Sequence, residues 1–137
     1  MKVDPAMRQS WLRVFFGLAA CSWMPHWSCH YYRLETGSGF AVGSWDFSKL
    51  DSAASLLIYT AFIIINLIAI VRLSWQRSAA LLSGVLHLSI GSLHVYRLFE
   101  PFRFEVFGYP WSQRASLREV IIVIPFGLVC LFVARKT

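Results

Sequence analysis

Charge is what the long apolar stretches of this chain lack. Seven acidic and thirteen basic residues are spread over 137 positions, yet none falls within Val14–Tyr32, Ala53–Val71, Ala79–Tyr96 or Val120–Ala134. Cysteine is scarce as well. Cys21, Cys29 and Cys130 form no C-x-x-C and are odd in number, which excludes a disulfide framework or a four-cysteine metal site. Cys29-His30 lacks the earlier cysteine needed for covalent haem attachment. There is no H-E-x-x-H, no G-x-S-x-G, no phosphate-cradling glycine loop and no acidic pair in an apolar stretch, so the common hydrolase and nucleotide-binding chemistries have no foothold. The basic balance has no aromatic-interleaved groove around it, which argues against a nucleic-acid partner.

What is present is apolar length. Hydrophobic residues make up 57% of the chain, more than an ordinary soluble domain carries. Each of the four stretches approaches or reaches the roughly 20 helical residues that cross about 30 Å of hydrocarbon, the fourth being the shortest. The expected fold is an all-α integral membrane protein, a four-helix transmembrane bundle forming one domain over residues 1–137. Lys2, Arg8, Arg13, Arg72, Arg77, Arg135 and Lys136 gather beside the short segments with only Asp4 for company, whereas the two longer loops balance six basic with six acidic residues. Dense Lys and Arg in short segments mark the cytoplasmic side. Both termini are therefore expected in the cytoplasm, in a bacterial-type inner membrane, with anionic lipid head groups as partners. Leu18-Ala19-Ala20-Cys21 also has the pattern of a lipoprotein cleavage site, the competing reading of the amino-terminal stretch.

The chain also repeats itself. Ser10-Trp11-x-Arg13 and His30-x-Tyr32-Arg33-Leu34 return 64 positions later as Ser74-Trp75-x-Arg77 and His94-x-Tyr96-Arg97-Leu98. Arg8/Arg72, Leu18/Leu82, Ser28/Ser92, Phe40/Phe104 and Val42/Val106 share that spacing, and Gly43/Gly108 and Trp45/Trp111 follow if small insertions are allowed. Two parallel two-helix repeats, 8–72 and 72–137, are expected to pack about an axis along the membrane normal. In the outer loops, alternation around Phe40–Val42 and Phe102–Val106 suggests short β-like segments, with an aromatic membrane-interface belt as the alternative. Pro25 and Pro125 are expected to kink their helices, and Asn66 to make an interhelical hydrogen bond. Ala80, Gly84, His87, Gly91 and His94 fall on one stripe of the third helix, a seam for close packing.

The candidate site follows from the repeat. His30 and His94 lie at matched depth near the outer boundary, with Tyr32, Tyr96, Arg33 and Arg97 beside them. Bis-imidazole ligation of a b-type haem, with the arginines meeting the propionates, is one cofactor reading. A transition metal held by His26, His30, His94 and Cys29 is a second. A proton or quinone site with His87 as relay is a third. Against these stands interface anchoring, in which the same side chains reach water with their polar tips. The favoured function is a non-catalytic accessory or binding subunit, within a larger membrane complex in one version. A redox protein using His30 and His94 is the alternative.

Overall fold

The computed structural model describes residues 4–137, so Lys2, counted above among the flanking charges, lies outside the described residues. The chain is mostly helical. α1 (Pro5–Ser22) starts where the Asp4 carboxylate accepts from the Ala6 N–H. α2 (Met24–Thr36) follows after Trp23 alone, so the helix expected to kink at Pro25 is divided into two. Pro25 has no N–H to return to Cys21, and the chain tightens there through a Trp23 N–H to Ala20 carbonyl bond of 3.3 Å. Pro125, by contrast, is carried inside a continuous helix. Gly37 ends α2 in the left-handed conformation at φ +71°.

α3 (Lys49–Val71) begins with a capping box between Ser48 and Asp51. It turns into α4 (Leu73–Phe99) through the single extended residue Arg72. α5 (Gln113–Lys136) starts from Ser112, whose hydroxyl accepts from the Ala115 N–H. Three of these helices, α3, α4 and α5, are long and apolar enough to cross a membrane.

The connections from α2 to α3 and from α4 to α5 each form a hairpin. β1 (Phe40–Val42) and β2 (Trp45–Asp46) link α2 to α3, and β3 (Phe104–Val106) and β4 (Tyr109–Pro110) link α4 to α5. All four join one antiparallel sheet in the order β2-β1-β3-β4, centred on the pairings Phe40↔Val106, Ala41↔Glu105 and Val42↔Phe104. The aromatic alternation therefore serves a sheet rather than a simple interface belt. Trp45 and Tyr109 occupy equivalent strand positions, and Phe47 and Trp111 both donate from N–H to the carbonyls of Phe40 and Phe104. The insertions allowed in the sequence alignment are not needed. Both turns begin with positive φ, at Gly43 (+62°) and Phe107 (+58°). Arg103 clasps the two hairpins, contacting Asp46 at 2.8 Å and Glu105 at 3.0 Å.

Apart from Trp23, Phe16, Val123 and Cys130, the buried side chains are small or polar, while many large apolar ones face outward. Ala19, Ala69, Ala79, Ala80, Ser83, Asn66 and Gln76 are buried, whereas Leu57, Ile64, Leu67, Val85, Ile121 and Phe132 face outward. That inversion suits a chain whose surroundings are hydrocarbon. α4 and α5 approach most closely, as the stripe requires. A Cβ built on Gly91 would lie 2.5 Å from Ile124, and one on Gly84 2.8 Å from Leu131, with Gly127 answering from α5 against Leu88.

Candidate functional site

The polar side chains of the bundle gather at two depths. At the deeper level His87 is engaged on both nitrogens, Nδ1 with the Ser83 carbonyl at 2.7 Å and Nε2 with the Ser22 hydroxyl at 3.2 Å. Trp23 and Phe126 cover its ring. Asn66 donates to Ser83 Oγ at 2.9 Å, the interhelical bond anticipated for it. Both nitrogens of His87 thus meet protein groups, and the ring does not line the cavity that contains His94.

Beneath the sheet lies a cavity of about 320 Å³. His30 and His94 both line it, with His26 and Cys29 from α2, Tyr59 from α3 and Glu119 from α5. Its walls repeat at the spacing found in the sequence: 26/90, 29/93, 30/94, 40/104, 42/106, 47/111 and 55/119 are all lining pairs 64 apart. Among the described residues, only Pro25 and Tyr59 line it without such a mate. The pairs His30/His94, Phe40/Phe104, Val42/Val106 and Phe47/Trp111 keep their chemistry. His26/Ile90, Cys29/Leu93 and Ser55/Glu119 differ, so polar groups are unevenly distributed around a similar frame.

The hydrogen bonds behind the histidines recur as well. Arg33 donates to Ser52 Oγ (2.5 Å), to the Ser48 carbonyl (2.8 Å) and to the Phe47 carbonyl. Arg97 donates to Ser116 Oγ (2.6 Å), to the Ser112 carbonyl (3.2 Å) and to the carbonyls of Trp111 and Phe102. Ser52 Oγ then meets His30 Nδ1 at 3.4 Å, and Ser116 Oγ meets His94 Nδ1 at 3.2 Å. A guanidinium has only donors, so each serine oxygen accepts from arginine; of the two tautomers the contact allows, we take the one in which the serine gives its proton to imidazole Nδ1. The neutral imidazoles are therefore assigned their own proton on Nε2, for which no protein partner occurs among the described residues.

This arrangement bears on each reading of the site. His30, Arg33, His94 and Arg97 are all buried, so they are not anchors reaching for water; only Tyr32 and Tyr96 are exposed as an interface residue would be. The arginines are committed to carbonyls at the sheet-to-helix junctions, which leaves haem propionates little to bind. His26, Cys29, His30 and His94 share the cavity, but among the described residues no three His, Cys, Asp or Glu side chains are grouped closely enough to hold a metal. Sequence reasoning missed Ser52 and Ser116, although they share the 64-residue spacing, and missed Glu119 and Tyr59, which have no matching partner of their own chemistry. Phe40 and Phe104 pack on His30 and His94 at 5.1 and 5.3 Å, so the sheet forms the roof of the site.

The fold and site define a helical membrane protein with a roofed internal cavity. No protein-family model, curated protein or solved structure matches the chain.

Proposed function

We propose that this is a four-span inner-membrane protein made of two parallel two-helix repeats, with α1 and α2 together forming the first span and both termini in the cytoplasm. It acts as a non-catalytic binding subunit, and the outer cavity holds a small ligand. The observation that carries this reading is the cavity wall itself, in which seven pairs spaced by 64 residues surround one space. A purely structural repeat would tend to close its axis with packed side chains, as protein interiors do. Here the space remains, and aromatic walls with a few convergent polar groups are what small-molecule sites present. Exposed Arg8, Arg13, Arg72, Arg77, Arg135 and Lys136 at the opposite end suit anionic head groups and, in a larger complex, a neighbouring subunit.

The test is ligand-linked stability. Flat ring compounds should raise the Tm of the purified protein, because a ligand that binds only the folded state stabilises it. Ile90→Trp, which fills the cavity, should fold and lose that response. Equal Tm shifts in both proteins, or none in either, would remove the cavity from the function. A haem absorbance band in the purified protein would favour the redox alternative instead.

A further inference from the structure

We propose that the outer cavity binds a quinone-class ring, a neutral flat ring with carbonyl oxygens on opposite edges. This rests on the reading of the cavity as a ligand site and names its ligand. The ground is the set of atoms the site offers. Arg33 through Ser52, and Arg97 through Ser116, leave His30 and His94 each with an Nε2–H donor that no described protein group accepts. Both imidazoles line the same space, and the matched hydrogen bonds behind them make them equivalent partners.

A ligand that satisfies both donors must accept hydrogen bonds at two edges. Burying either N–H without an acceptor is costly, which disfavours a plain hydrocarbon. Phe40, Phe47, Phe104 and Trp111 demand a flat body. An ammonium ligand is the other chemistry that the aromatic walls and the Glu119 carboxylate attract, but it would leave both imidazole donors without an acceptor, and the Arg97 guanidinium already lies 5.6 Å from the Phe104 ring centroid. A para-quinone meets the remaining requirements. The volume sits at the small end of ligand sites, enough for one substituted ring. Leu93 is both a cavity wall and 37% exposed, so it marks a route by which an aliphatic tail reaches lipid. The proposal concerns binding and assigns no electron transfer.

The test titrates the full-length protein in lipid nanodiscs with a short-tailed para-quinone, the alkylbenzene of the same size and tail, and a trimethylammonium amphiphile with that tail. The quinone should bind at least tenfold more tightly than either. His30→Ala and His94→Ala should each weaken it about tenfold, the worth of one buried hydrogen bond. His30→Phe and His94→Phe, which keep an aromatic ring but lose the donor, should do the same while leaving alkylbenzene binding unchanged, and they decide the matter if the alanine variants fail to fold. Equal affinity for quinone and alkylbenzene would overturn the quinone and leave the ligand cavity standing. Binding of no ring would overturn both. Preference for the ammonium, or quinone binding indifferent to both histidines, would also overturn the proposal.

Discussion

Arg33 and Arg97 direct most of their hydrogen bonds to the protein's own backbone and one each to a serine hydroxyl. Each ties the end of one helix to the residues just before the next helix, reaching the carbonyls of Phe47 and Ser48 or of Trp111 and Ser112. A planar fork spans such acceptors, whereas a lysine ammonium is a single point on a flexible stem. Arg97→Lys should therefore lower stability by about 1.5–3 kcal/mol, the loss of one charge-assisted hydrogen bond or its equivalent. Thermal unfolding of the purified protein measures this, and an unchanged midpoint would show that the carbonyl bonds contribute nothing. The repeated His-x-Tyr-Arg-Leu identified these residues in the sequence. Their role was hidden because the acceptors are carbonyls, which every residue possesses, and because Ser52 and Ser116 stand 19 residues from the arginines they receive.

At the scale of elements, packing between α4 and α5 and the clasp across the sheet make separate predictions. Gly91→Ala puts a methyl group where Ile124 already stands, and overpacking of this kind costs about 1–3 kcal/mol. Gly91→Leu and Gly84→Leu should reduce folded yield further. Leu86→Phe, off the buried stripe, should be tolerated, and equal loss at all three positions would contradict a specific seam. Adding Ile124→Ala to Gly91→Ala should recover part of the loss, since it vacates the space the new methyl enters. The seam was legible from small residues at steps of three and four, but its partner was not, because small residues name a close approach without naming which helix approaches.

The clasp responds to pH. Hydrogen bonds from Arg103 hold the Glu105 carboxyl below its usual range, so the stabilisation is present above the ordinary glutamate value of about 4.3 and is lost as pH falls through the lowered one. Both groups are exposed, so the effect on the whole fold should be small and local. Amide exchange at Gly43, whose N–H donates to the Arg103 carbonyl, should therefore gain protection between acid and neutral pH relative to Arg103→Ala. Parallel profiles in the two proteins would contradict the coupling.

For the whole molecule, α1 and α2 decide the topology. α3, α4 and α5 declare themselves by unbroken apolar length. The first stretch was read as one helix kinked at Pro25, and its division at Trp23 was only partly legible, because Pro25 and Pro125 carry the same local signal with different outcomes. Tertiary surroundings decide which proline divides its helix. The chain nevertheless continues directly from α1 into α2, α1 packs against α3 as α2 does, and the hairpin after α2 joins the sheet formed after α4. If α1 and α2 form one crossing, the two hairpins share the outer side and the ends of α1 and α5 share the inner side. Reporter fusions after Gly37 and after Thr137 should therefore give opposite signals, the first external and the second cytoplasmic. Adding arginines at Ser38 and Gly39 should weaken that orientation, because positive charge near a membrane helix is retained on the cytoplasmic side. With the amino terminus cytoplasmic, the reverse pattern, cytoplasmic after Gly37 and external after Thr137, would mean that α1 and α2 do not cross, and identical signals would mean that α3, α4 and α5 do not make three crossings.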